Sequence, residues 1–188
     1  MAAAASPSYV SYEDYLALEA SSDEKHEWCD GVVYAMSRGT PEHGRLTASI
    51  ARVLGNAVLG ECRVYAADTM IWIERVGIST YADASMVCGP LETKTVRSKT
   101  GQSLGEAIIN PSVIVEVLSD STERYDRDGK FQAYKQLPSL QEYVIVNQNE
   151  RKLEVYRLAK AEWLCETAGP GGTVSVRGKP ITVDGVYE

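Results

Sequence analysis

Several features that would place a chain in a class at once are missing from these 188 residues. No apolar run approaches the ~20 residues that a bilayer-spanning helix needs, so a membrane partner is not expected. The opening MAAAASPS carries no basic stretch and no long apolar core. It reads as a flexible segment over 1–8 rather than a secretory leader, which points to a cytoplasmic protein. Cys29, Cys62, Cys88 and Cys165 are scattered, with no Cys-x-x-Cys pair, and only His26 and His43 could add imidazoles. That spacing argues against a structural zinc site and predicts four reduced thiols. Positive charge is also short: 19 Lys and Arg stand against 26 Asp and Glu, a net charge of −7. A generic nucleic-acid coat would be basic, although an acidic metal site beside a local basic groove remains compatible with this balance. There is no phosphate-cradling glycine loop, no Ser-His-Asp order with a nucleophile elbow, and no internal repeat.

What is present is the profile of an ordinary globular protein, long enough for a core and of a length that suits one domain over 1–188. Ser11 reads as an N-cap before YEDYLAL, with Asp14 three residues on. Asp30-Gly31 is a hairpin dipeptide, and Lys25 to Cys29 and Val32 to Met36 read as the strands around it. Thr40-Pro41 opens a helix in which Leu46, Ile50, Val53, Leu54 and Ala57 recur at helical spacing, with His43 one turn ahead on the inner side.

CRVYAAD and TMIWIE alternate and read as a hairpin about Asp68. TYADASMV and SVIVEVLS are nearly continuous apolar runs, as expected of central strands covered on both faces. The polar GPLETKTVRSKTGQSLGEAI between them reads as a surface loop carrying Lys94, Arg97 and Lys99. After SVIVEVLS, Asp120 or Ser121 could cap a helix whose regular part starts near Asp126, because Gly129 weakens it, and Pro138 stops it. YVIVN is a further central strand, RKLEVYRL and EWLCETA are hairpin partners, and TVSVRGKPITV is a last edge hairpin. The pattern is mixed α/β, with helices against a twisted sheet and one right-handed βαβ unit.

Three charged residues interrupt the apolar stretches: Asp83 in YADASMVC, Glu116 in IVEVL, and Lys130 on the helix beside Phe131 and one turn before Tyr134. Buried charge is costly unless it is paired or bound to metal. Two carboxylates from neighbouring strands and a backbone carbonyl, naturally that of Val117, would give Mg²⁺ or Mn²⁺ a half-shell of oxygens. A nearby lysine could orient or help deprotonate an attacking water and offset phosphate charge. The plainer alternative places Asp83 at a sheet end, pairs Glu116 with an arginine such as Arg127, and lets Lys130 snorkel.

The run IVEVLSDSTERYDRDGKFQAYKQLPSLQEYVIVN, with YADASMV before it and KLEVYRL behind it, resembles the Uma-type restriction endonucleases of the PD-(D/E)XK nuclease superfamily. HEWCDGVVYAM and PEHGRLTASIARVL extend the resemblance over most of the chain. It implies a restriction-endonuclease-like central mixed sheet flanked by helices, with extra hairpins in the N- and C-terminal parts. It also implies an Mg²⁺- or Mn²⁺-dependent endonuclease acting on DNA, expected here as a homodimer. Asp83 and Glu116 match the metal-binding acids, Lys130 a lysine migrated onto the following helix, Glu27 a recurrent acid ahead of the hairpin, and His43 and Tyr134 positions lining the pocket. Three departures stand out: Ala82 replaces the usual proline, Leu118 occupies the usual lysine position, and Glu142-Tyr143-Val144-Ile145-Val146-Asn147 lacks the expected Trp and Asp. They leave a second reading, a nuclease-fold homodimer of weak or no activity that binds nucleic acid or protein as an accessory module.

Overall fold

The computed structural model describes residues 9–36, 39–97, 101, 103–120 and 122–188. The expectations for Lys99, Ser121 and residues 1–8 fall outside them. Helix α1 (Tyr12–Ser21) is capped as expected, Ser11 accepting from the Asp14 N–H. Strands β1 (His26–Cys29) and β2 (Val32–Ala35) pair antiparallel around Asp30 and Gly31, both at positive φ, the conformation Asp-Gly supplies in a tight hairpin. Helix α2 (Pro41–Ala57) starts at Thr40, whose side chain accepts from the His43 N–H.

The middle of the chain differs from the sequence expectation. Strands β3 (Cys62–Ala66) and β4 (Met70–Ile73) do not form a hairpin about Asp68; they part into different sheets. TYADASMV is not one central strand either. It splits into β5 (Ile78–Tyr81), beside β1 and β4, and β6 (Ala84–Cys88), beside β3. Asp83 lies at the crossing between the two sheets. The supposed surface loop forms the antiparallel pair β7 (Thr93–Arg97) and β8 (Ser103–Ile108) at the end of one sheet, which explains its polarity.

The first sheet runs β2-β1-β5-β4-β8-β7. The second runs through β9 (Val113–Leu118), β10 (Glu142–Asn147), β11 (Leu153–Ala159) and β12 (Glu162–Ala168), in the order β12-β11-β10-β9-β6-β3. Strands β9 and β10 are parallel, as the βαβ expectation requires. A separate pair, β13 (Thr173–Val176) and β14 (Lys179–Thr182), precedes a short helix α3 (Val183–Tyr187).

Strand β9 is buried at all six positions. Val113, Val115 and Val117 pack into a core with Leu46, Ile50 and Leu54 of α2, while Ile114 and Leu118 point the other way, against Phe131, Tyr134 and Tyr143. Strict alternation therefore puts Glu116 on the second face, toward the first sheet. A third cluster joins Tyr15 and Leu16 of α1 to Trp28 and Trp72.

One cysteine expectation is corrected. Cys62 and Cys88 are directly opposite each other on β3 and β6 and form a disulfide, leaving Cys29 and Cys165 as free thiols. Twenty-six residues separate them in sequence, so only the long-range strand pairing brings them together.

Candidate active site

The segment after β9 turns helical at Glu123 rather than at Asp126, and its first part, Tyr125–Lys130, is a π-helix continued by an α-helical turn over Phe131–Tyr134. A π-helix leaves backbone groups out of the ordinary ladder and recurs at functional sites. Here the buried Tyr143 hydroxyl donates to the Asp126 carbonyl at 2.9 Å. The same segment turns the side chains of Asp126 and Lys130 inward, and both are buried.

The Lys130 ammonium is the hub. It lies 3.2 Å from Glu116 Oε1 on β9, 3.1 Å from Glu27 Oε1 on β1, and 3.7 Å from Asp126 Oδ1, and it donates to the Tyr81 carbonyl at 3.2 Å. The three carboxylates outweigh the cost of burial and hold its pKa well above the usual lysine value. Burial raises the Glu116 pKa well above the usual carboxylate range despite Lys130. Burial likewise raises Asp126.

The two oxygens of Glu116 have separate surroundings. Oε1 receives Lys130 and the Tyr134 hydroxyl, the latter at 2.7 Å, whereas Oε2 turns toward the Asp83 N–H at 3.3 Å. Asp83 Oδ2 in turn accepts from the Val117 N–H at 2.7 Å and lies 3.2 Å from His43 Nε2. The hydrogen bond to Asp83 raises the His43 pKa against the opposing effect of burial. Glu27 is fixed by the Thr80 hydroxyl, which donates to its Oε1. All the residues expected at the site, Glu27, His43, Asp83, Glu116, Val117, Lys130 and Tyr134, therefore fall into one hydrogen-bonded region. Except for Tyr134, which lies behind Glu116, they line a single cleft of about 750 Å³.

Asp126 and Thr80 are the additions. Asp126 stands four residues before Lys130, a helical spacing that places the two on one face, so a signal for it was present in the sequence. Thr80 has no comparable signal, since only the β1–β5 pairing brings it to Glu27. The alternative pairing of Glu116 with Arg127 does not occur. Arg127 instead holds Glu154 of β11 through two bonds of 2.9 Å and Glu123 at 2.8 Å. Of the cations in the expected surface loop, Lys94 lies over the Trp72 ring and Arg97 donates to the Gly101 carbonyl. Asn147 replaces the expected aspartate without losing the turn, accepting from the Asn149 and Glu150 N–H groups.

Leu118 shows why the lysine must come from elsewhere. It shares a face with Glu116 but is packed among Ile114, Phe131 and Tyr143. An ammonium there would sit in the apolar core.

A family model described as "Uma2: Putative restriction endonuclease" matches residues 12–180. The chain belongs to this family. Two curated relatives come from Synechocystis sp. (strain ATCC 27184 / PCC 6803 / Kazusa). The uncharacterized protein slr1290 is 34% identical over 157 residues, covering 82% of this chain and 78% of the relative. The uncharacterized protein sll1609 is 28% identical over 153 residues, covering 80% and 82%. Among solved structures, "a putative nuclease belonging to DUF820 from Anabaena variabilis ATCC 29413" superposes with a TM-score of 0.68 at 16% identity, covering 88% of this chain and 91% of that one. That likeness establishes a shared fold.

The donor set suits a hard divalent ion in part. Among the described residues no group of three or more His, Cys, Asp and Glu side chains forms a ready-made metal cage. Mg²⁺ needs less, since it is commonly held by one or two carboxylates and keeps several waters. Asp83 and the Oε2 side of Glu116 are two such carboxylates. Among the described residues, the cations paired with the four carboxylates of Glu27, Asp83, Glu116 and Asp126 are the Lys130 ammonium and the His43 imidazole. A divalent cation would offset that surplus of negative charge.

Proposed function

We propose that this member of the Uma2 family is a divalent-metal-dependent endodeoxyribonuclease, working in the cytoplasm as a homodimer. The observation that supports it most is the division of Glu116: Lys130 takes one oxygen, and the other accepts from the backbone N–H of Asp83, the second acid of the set. That is the acid–acid–lysine arrangement of a phosphodiester hydrolase, rebuilt with a lysine from the helix. Asp83, Glu116 and the Val117 carbonyl would hold Mg²⁺ or Mn²⁺. When bound, the ion supplies Lewis-acid polarisation of the phosphodiester and activation of the attacking water.

The chain's own groups supply the rest. Lys130 stays an ammonium, because its three carboxylates hold its pKa high, so it does not act as the base. It orients the attacking water and counters the negative charge that builds on the phosphoryl oxygens. Glu27 and Asp126 keep it pointed at Glu116, and Tyr134 fixes the carboxylate plane. His43, which Asp83 makes easier to protonate, would donate a proton to the leaving oxygen.

The test is divalent-dependent nicking of supercoiled plasmid. Asp83→Asn and Lys130→Gln should each lower the rate at least ~100-fold, the scale of a lost charge-stabilising group, with near-ultraviolet circular dichroism unchanged. Full cleavage by both variants would exclude this site. The accessory-module reading draws support from Lys130 being saturated by carboxylates. It predicts no Mn²⁺ heat in calorimetric titration, whereas a heat that disappears in Asp83→Asn rules it out.

A further inference from the structure

Resting on that nuclease reading, we propose that the substrate enters as an unpaired DNA strand, with a base stacked on Tyr34 and Tyr125 at the mouth of the cleft. Both tyrosines line the cleft, and both remain open to solvent, 52% and 44% exposed. They also flank one residue of the site. Tyr34 is the direct cross-strand partner of Glu27 on the β1–β2 ladder, so the two side chains share a face of the sheet. The Tyr125 ring centre lies 5.9 Å from the Lys130 ammonium, which itself pairs with Glu27.

Tyr125 is also held in place from behind. Its ring lies so close to Gly129 that a Cβ there would come within 2.7 Å of it. Glycine at 129 costs helix stability, and the close approach of this ring gives a reason for it. Next to Tyr125 is a second, shallow hollow of about 430 Å³, lined by Arg124, Asp128 and Gly129. Arg124 is exposed and pairs with no acid among the described residues. It is placed to receive a phosphate on the far side of the stacked base.

Charge favours a single strand over a duplex. Duplex binding draws most of its affinity from many Lys and Arg contacts to phosphate. Among the described residues that line the cleft, three side chains are basic and each is engaged: Lys25 with Asp68, His43 with Asp83, and Lys130 with its carboxylates. Five acids, Glu27, Asp83, Glu116, Asp120 and Asp126, line the same cleft. Single-strand binders instead rely on aromatic platforms, which need few cations and accept any base.

The experiment is fluorescence anisotropy with a labelled oligonucleotide in Ca²⁺, its integrity checked on a denaturing gel, using one sequence as single-stranded DNA, duplex DNA and single-stranded RNA. The full-length protein should bind the single DNA strand about tenfold or more tightly than the duplex. Tyr34→Ala and Tyr125→Ala should each weaken that binding by about 10–100-fold, the range for loss of one stacked base. Tyr34→Trp should restore it, and its new indole emission should be quenched by added oligo(dT). Equal affinity for duplex and single strand, tighter binding of the RNA, or unchanged affinity in both alanine variants would overturn the proposal. Binding is read without cleavage, so an inactive protein that still prefers the single strand refutes the nuclease reading alone. A plasmid-cutting protein without that preference refutes only the stacking.

Discussion

Glu27, Glu116 and Asp126 share one ammonium, and removing it leaves three buried carboxylates with no counter-charge. Lys130→Met should therefore cost on the order of 3–5 kcal/mol at neutral pH, the usual penalty for breaking a buried pair on one side, read as a lower urea midpoint. The pH trend has a definite sign. Burial raises the pKa of Glu116 and Asp126, so without Lys130 the native state holds protons on these two more tightly than the unfolded state does. Stability of the variant should then fall as pH rises from 5 to 8. Leu118→Lys, which restores the usual motif spacing, should fail to rescue the activity of Lys130→Met. It puts a charge among Ile114, Phe131 and Tyr143 and should lower the melting temperature further. Three residues of the candidate site were legible at this scale because Asp83, Glu116 and Lys130 each break an apolar pattern, while Glu27, His43 and Tyr134 came from the family resemblance. Thr80 was not, since a threonine in a strand breaks no pattern.

Elements were legible where both faces are buried. SVIVEVL and EYVIVN read as central strands because an apolar run of that length must be covered on each side, and β9 and β10 are. TYADASMV looked the same, yet it crosses from one sheet to the other at Ala82-Asp83. An apolar run carries no mark of which sheet each half joins. TKTVR and SLGEAI were read as loop because strands at the end of a sheet keep polar side chains in water. The β3–β6 pairing was likewise invisible, and with it the Cys62–Cys88 bond. Closing this 26-residue separation should stabilise the chain by about 3 kcal/mol through the unfolded state. Dithiothreitol should lower the urea midpoint of the native protein and leave that of Cys62→Ser/Cys88→Ser unchanged.

On the scale of the whole molecule, Arg127 ties the π-helical segment to β11 through Glu154, whose pKa the guanidinium lowers to about 2. The native state thus binds fewer protons there than the unfolded chain. The contribution is complete above the ordinary glutamate value of 4.5 and disappears as pH falls toward 2. Glu154→Gln should cost on the order of 1–2 kcal/mol at pH 7, allowing for solvent screening at the partly exposed Arg127. The difference from the native protein should close below pH 3 in acid-denaturation curves. The site itself spans the seam between the two sheets. Glu27 and Thr80 come from one sheet, Glu116 from the other, and Lys130 from the segment packed between them. A chain with only one sheet formed has an incomplete set of groups and cannot carry out the chemistry. On the proposed nuclease reading, completion of folding would act as a safety catch: a nascent or damaged molecule would lack the assembled site.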